Sequence, residues 1–171
     1  IRRQGQMCIR DWSFQPLELL SLPVPDAFRV AGVHPHTTVM TAEARRLVTE
    51  RSFDIRHAVD NLGQLGAMVT ALHRGDLELF GRSISDALVE PIRAPLIPGF
   101  AEVKQAALEA GARGCSISGS GPSVFAFASS DEQATDLAGR IATTFQTVAG
   151  LDSDTYAGLV NTSGARRVGA V

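Results

Sequence analysis

Residues 114–127, GCSISGSGPSVFAF, place two strand-like runs, CSIS and SVFAFA, on either side of a loop of glycine, serine and proline. A connection this short suits an antiparallel hairpin and leaves no room for the crossover that parallel strands need. The rest of the chain has to be arranged around that hairpin.

Upstream of it the pattern is helical. After a proline-punctuated lead-in, LSLPVPDAF, the run FRVAGV at 28–33 reads as a short buried strand that ends at HPH. A helix is expected from Thr41, with Glu43 in its first turn, where an acid suits the helix dipole. The strongest period is in DIRHAVDNLGQLGAMVTALHRGD. There Ile55, Ala58, Val59, Leu62, Leu65, Gly66, Val69 and Leu72 share one face, and Gly75 offers a stop. A further helix carries Leu77, Phe80, Ile84 and Leu88, with Pro91 predicted to end it. Phe100, Val103, Ala107 and Ala110 mark another, closed by Gly111.

Downstream of the hairpin, Ser130 and Gln133 have the spacing of a capping box. They open a helix bearing Ala134, Leu137, Ile141, Phe145 and Val148. TYAGLV and ARRVGAV close the chain as strands. The order β, four or so helices, β, β, α, β, β lacks a regular βαβ alternation. The expected class is therefore α+β, a two-layer domain with helices packed on a mostly antiparallel sheet.

Composition narrows the function classes. With 171 residues, 44% of them apolar, the chain can bury the core of one ordinary domain. A net charge of −2 with scattered basic residues gives no footprint for nucleic acid or an acidic membrane surface. No apolar run approaches the roughly 20 residues that span a bilayer. Two cysteines, Cys8 and Cys115, are too few for a disulfide framework and fit a reducing cytoplasm. The opening IRRQGQMCIRD lacks an apolar signal region and any periodicity. Residues 1–11 read as a non-native leader, similar to translated sequencing adapter, on a C-terminal piece of something longer; a natural tail is the alternative.

Three stretches could carry chemistry. In SISGSGPS, Gly119 and Gly121 can take positive φ and let backbone N–H groups line a concave rim, with Ser118, Ser120 and Ser123 adding hydroxyls. The same residues would equally make a tight turn, and no Lys-Ser/Thr follows as in a Walker loop. In TAEAR, Thr41 and Arg45 stand four apart on one helical face. They form either a carboxylate grip at a helix start or an N-cap with a solvated arginine. In EPIRAPLIPGF, Arg93 sits between prolines on a stiff segment, as an anion ligand or as a surface charge. Glu90 is most simply a paired or solvated carboxylate, and Asp86 a surface acid. The HPH histidines lack a third metal ligand at sensible spacing. His57 and His73 fall at the polar edges of helices. Cys115 reads as a small core residue.

TAEAR, then GDLELFGRSISDALVEPIRAPLIPGF, then GARGCSISGSGPSVFAF, with TSGARRV at the end, closely resemble the C-terminal half of homoserine kinase, a branch of the GHMP small-molecule kinases. The resemblance runs from about Trp12 to the last residue. SGSGPS alone would indicate only the superfamily; EP-x-R with LIPGF points to the branch. It implies an enzyme that moves the γ-phosphoryl group of MgATP to the hydroxyl of L-homoserine, on the route to threonine, in the cytoplasm. Residues 12–40 would then be the end of an N-terminal kinase domain and its connection, and 41–171 the C-terminal domain. Thr41, Arg45, Arg93, Ser118 and Gly119 fall at substrate-binding positions, and Ser120 and Gly121 at positions that support the phosphate loop. The resemblance supplies no catalytic base and no metal ligand in these residues. A homodimer is compatible with it.

The departure from the family is large. The glycine- and serine-rich segment that cradles ATP, the early Asn and Asp contacts to substrate and the Mg²⁺ ligands have no counterpart here. Their place would be upstream, so the isolated chain is expected not to turn over. Two other readings stay open: a GHMP kinase for mevalonate-type or sugar substrates, and a free-standing amino-acid-binding regulatory domain.

Overall fold

The computed structural model describes residues 22–162. In chain order the elements are β1 (Arg29–Pro35), α1 (Thr41–Thr49), α2 (Ile55–Arg74), α3 (Leu77–Ser83) and α4 (Glu90–Arg93), the last continued by a 3-10 turn, Ala94–Leu96. Then follow α5 (Phe100–Glu109), β2 (Gly114–Ile117), β3 (Val124–Ala128), α6 (Asp131–Ala149) and β4 (Ser153–Leu159). The expected ARRVGAV strand and the 1–11 leader lie outside the described residues.

The four strands form one sheet in the order β2-β3-β1-β4, and every neighbouring pair is antiparallel. β1 runs through its interior, with Ala31 opposite both Ala126 and Ala157. It thus belongs to the same sheet as the hairpin, although it precedes residue 41.

Alternation along the strands sorts the sheet into two faces. Ala31 and Val33 of β1 and Val124, Ala126 and Ala128 of β3 are buried on one face, against α5 and α6. α6 supplies Leu137, Ile141 and Phe145 to that layer, and α5 supplies Phe100, Val103 and Ala107. The buried positions of β3 are its small residues, because long side chains already come down from the helices. Its large ones, Phe125 and Phe127, turn to the other face. There Phe127 meets Phe80 edge to face at 4.8 Å, and Phe80 meets Phe28 at 5.1 Å, so α2 and α3 cover that end of the sheet. Gly81 permits the approach: a β-carbon there would fall 1.4 Å from the carbonyl oxygen of Arg113.

Caps account for both ends of α2 and of α6. Asp54 accepts from Arg56 N at 2.8 Å to start α2, and Gly75 ends it. Ser130 accepts from Gln133 N at 3.1 Å, while the Gln133 side chain accepts from Ser129 N, a capping box displaced by one residue. Two expectations are corrected. The helix from Leu77 ends at Ser83, short of Leu88, and Pro91 lies in the first turn of the next helix instead of stopping one. Proline suits that place because the first-turn N–H has no intrahelical partner to lose. The periodic face of α2 is also not buried along its length: Ile55 is 74% exposed, Val59 60%, Leu62 68% and Leu65 56%.

Candidate functional site

The stretch SISGSGPS is a tight turn, and its conformation explains both glycines. Ser118 N donates to Ser123 O at 2.8 Å, and Gly121 N donates to Ser118 O at 3.0 Å. Gly119 has φ +62° and Gly121 φ +83°, values that a residue with a β-carbon adopts only with strain. The first glycine faces open space; a β-carbon on the second would lie 2.7 Å from Ile97 Cδ1. The turn therefore presents Ser118 and Gly119 outward while Gly121 seats it on the core.

Two elements distant in sequence converge on that turn. Arg93, at the end of α4, donates from Nη1 to the carbonyl of Gly119 at 2.7 Å. Thr41 is the first residue of α1; Met40 is the N-cap and makes no side-chain bond there. Freed from capping, the Thr41 hydroxyl meets the Ser120 hydroxyl at 3.2 Å. α1 also packs against α4. Thr41, Arg93, Gly119 and Ser120 are thus gathered at one end of the domain. Arg45 lies one turn along α1 from Thr41, exposed but already engaged by a neighbour. Arg93 Nε is buried and has no partner among the described residues, a standing cost of about 1–3 kcal/mol.

Asp86, expected as a surface acid, is corrected by its contacts. Its carboxylate accepts from Leu88 N and Val89 N at 2.9 Å, from Glu90 N at 3.1 Å and from Asn61 Nδ2 at 2.8 Å. Burial, the largest single influence, pushes its pKa up. The bonds from Asn61, Val89, Leu88 and Glu90 together outweigh it and hold the carboxyl below its ordinary 3.8. Glu90 is paired, with Lys104, and also accepts from the Ser116 hydroxyl. Sequence reasoning missed Asn61 and Asp86. The available signal was an acid a few residues ahead of a Glu-Pro helix start, masked by reading Pro91 as a terminator.

The remaining candidates have structural roles. His34 Nδ1 lies 2.8 Å from Ser123 Oγ, and His36 pairs with Asp154 at 3.2 Å. Cys115 is 1% exposed, and burial pushes its thiol up to about 12. Among the described residues no group of three or more His, Cys, Asp or Glu gathers as metal donors. The hairpin N–H groups of Ser118 and Gly121 are spent inside the turn.

Beside the turn, a cleft of about 560 Å³ has Val30, Phe80 and Phe125 as apolar lining, with Ser116, Ser118 and Asp86 at its polar positions. Its size is in the range of small-molecule sites. A larger depression of about 670 Å³ along α6 includes Ser130, Asp136 and Arg140 but none of the converging residues. Of the two, the smaller cleft touches the glycine turn, through Ser118.

Residues 68–147 match the family described as GHMP kinases C terminal. Homoserine kinase of Chlorobium phaeobacteroides (strain BS1) is 47% identical over 155 residues, covering 90% of this chain and 48% of that protein. Homoserine kinase of Chloroherpeton thalassium is 44% identical over 154 residues, with the same coverage of each. The crystal structure of homoserine kinase from Cytophaga hutchinsonii superposes with a TM-score of 0.84 at 42% identity, again over 90% of this chain and 48% of the other. The chain spans about half the length of the curated relatives it matches.

Proposed function

We propose, from the premise that this chain carries a GHMP kinase C-terminal domain, that it supplies the amino-acid-holding side of a homoserine kinase. The reaction is transfer of the γ-phosphoryl group of ATP to the hydroxyl of L-homoserine, a cytoplasmic step toward threonine. The carrying observation is the guanidinium of Arg93, fixed on the Gly119 carbonyl with a buried Nε–H still unpaired. A carboxylate can satisfy such a group through two parallel hydrogen bonds.

In this reading Arg93 and Arg45, carried on touching helices, neutralise the α-carboxylate of L-homoserine. The outward face of the turn, Ser118 and Gly119, bounds the substrate, while Thr41 and Ser120 hold α1 on the turn. Ser120 and Gly121 fix the turn so that it can brace a phosphate-binding segment. Phosphoryl transfer asks for orientation and charge neutralisation more than covalent participation. Two guanidinium groups on one carboxylate leave the substrate hydroxyl as its free end. We name no general base in this chain. Mg²⁺ would supply neutralisation of the transferring phosphoryl charge. Among the described residues no group of three or more His, Cys, Asp or Glu gathers as a metal site, and no step is routed through Mg²⁺ or a triphosphate here. A complete enzyme would need a further phosphate-binding part, and a homodimer is compatible with this reading.

An ADP-release assay tests the proposal in two arms. Joined to the upstream half of a relative, the chain should release ADP with L-homoserine and not with mevalonate; alone, it should release none. Turnover of mevalonate in preference to L-homoserine would overturn the substrate assignment.

A further inference from the structure

We infer that Asp86 and Asn61 form a clasp that positions Arg93 on the glycine turn. The inference rests on reading Arg93 as a substrate-holding residue. α4 has only four residues, too few to sustain a helix by its own bonds. Its two inner N–H groups, of Ile92 and Arg93, both return to Val89 O, at 3.1 and 3.0 Å. The N–H groups of Val89, the N-cap, and Glu90, the first helical residue, are among those a helix start leaves without intrahelical partners, and Leu88 N lies just ahead of them. Asp86 takes all three.

Asn61 ties this arrangement to a rigid element. It projects from α2, a helix of 20 residues, donates to the Asp86 carboxylate and accepts from Ala87 N at 2.8 Å. Both the carboxylate and the peptide next to it are therefore fixed from one side chain. On the opposite side, Glu90 is held by Lys104 of α5 and Ser116 of β2. The direction in which Arg93 leaves α4 is thereby set by α2, α5 and the sheet together. An ordinary helix cap would add stability without affecting Arg93; the clasp predicts that Arg93 loses its aim when the carboxylate is removed.

The test uses the 171-residue chain and Asp86→Ala, which removes both acceptor oxygens, followed by NMR. In the variant, amide exchange at Leu88, Val89 and Glu90 should speed up by about tenfold or more. The Arg93 Nε–H resonance, expected to be protected in the parent chain because the atom is buried, should move to the position of a solvated guanidinium. A folded variant in which that resonance stays in place overturns the inference, whatever the amide exchange does. Should Asp86→Ala fail to fold, Asn61→Ala removes only the bonds to α2 and is judged by the same resonance. Titrating the parent chain with L-homoserine separates the two readings. An unmoved Arg93 resonance there counts against the substrate role alone, while the variant comparison still decides the clasp.

Discussion

Arg93 and Gly119 lie 26 residues apart, yet the guanidinium of one donates to the carbonyl of the other at 2.7 Å. That bond uses a single nitrogen, so the planar fork keeps donors for a second acceptor. Lysine could replace the bond to Gly119 but could not also grip a carboxylate with parallel donors. In an enzyme completed by an upstream half, Arg93→Lys should lower kcat/KM for L-homoserine by about a hundredfold. KM for ATP should change by less than about twofold. Parallel loss in both substrates, in a coupled ADP assay, would show that Arg93 does not act on the amino acid.

The two glycines of the turn should differ in their tolerance of alanine. At Gly119 a methyl group meets nothing within 4 Å, so Gly119→Ala costs only the left-handed backbone, about 1–2 kcal/mol. At Gly121 the same backbone strain is joined by overpacking against Ile97, about 1–3 kcal/mol more. Ile97→Val removes the offending Cδ1. The double variant should therefore lose less stability than the sum of its singles in urea denaturation. Additive losses would mean that Ile97 is not what excludes a side chain at Gly121.

Where sequence and structure agree, the information was local. The period of α2, the Ser130–Gln133 start and the glycine-lined hairpin depend on residues within a turn or two of one another. Pro91 shows where local reasoning fails. Proline is excluded from a helix interior and favoured in its first turn, so one residue can mark either boundary. The deciding contact, Asp86 to three backbone N–H groups, requires Asn61 to arrive from another helix. The α2 period likewise identified which residues share a face, but not what, if anything, covers it. The junction of Arg93 with Gly119 and of Thr41 with Ser120 is tertiary. The sequence supplied the candidates, and the packing of α1, α4 and the hairpin brought them together.

Asp86 gives the fold a defined acid sensitivity. Its pKa is lowered on folding from an ordinary 3.8, so the folded state holds the proton less readily than the unfolded chain. The associated stability is fully present above the unfolded value and is lost as pH falls through the folded one. The gap in urea midpoint between the parent chain and Asp86→Asn should be widest near neutrality. It should narrow steadily once pH drops below about 4. A gap that stays constant from pH 7 to pH 3 would mean that the carboxylate charge contributes nothing.

Ile55, Val59, Leu62 and Leu65 leave a run of large apolar side chains on the outer surface of α2, each more than half exposed. Neighbouring Gly63 and Gly66 meet nothing within 4 Å of where a β-carbon would stand, so the surface is open along this stretch. Scattered exposed leucines are ordinary, but a contiguous patch attracts other apolar surfaces. Leu62→Lys with Leu65→Lys removes no buried contact and keeps good helix formers in place. The pair should therefore leave the urea midpoint within about 0.5 kcal/mol of the parent. Binding of a hydrophobic dye, and light scattering from concentrated solutions of the isolated chain, should both fall. A loss of several kcal/mol would instead mean that these leucines are buried in the folded chain, and the face of α2 would have to be redrawn as core.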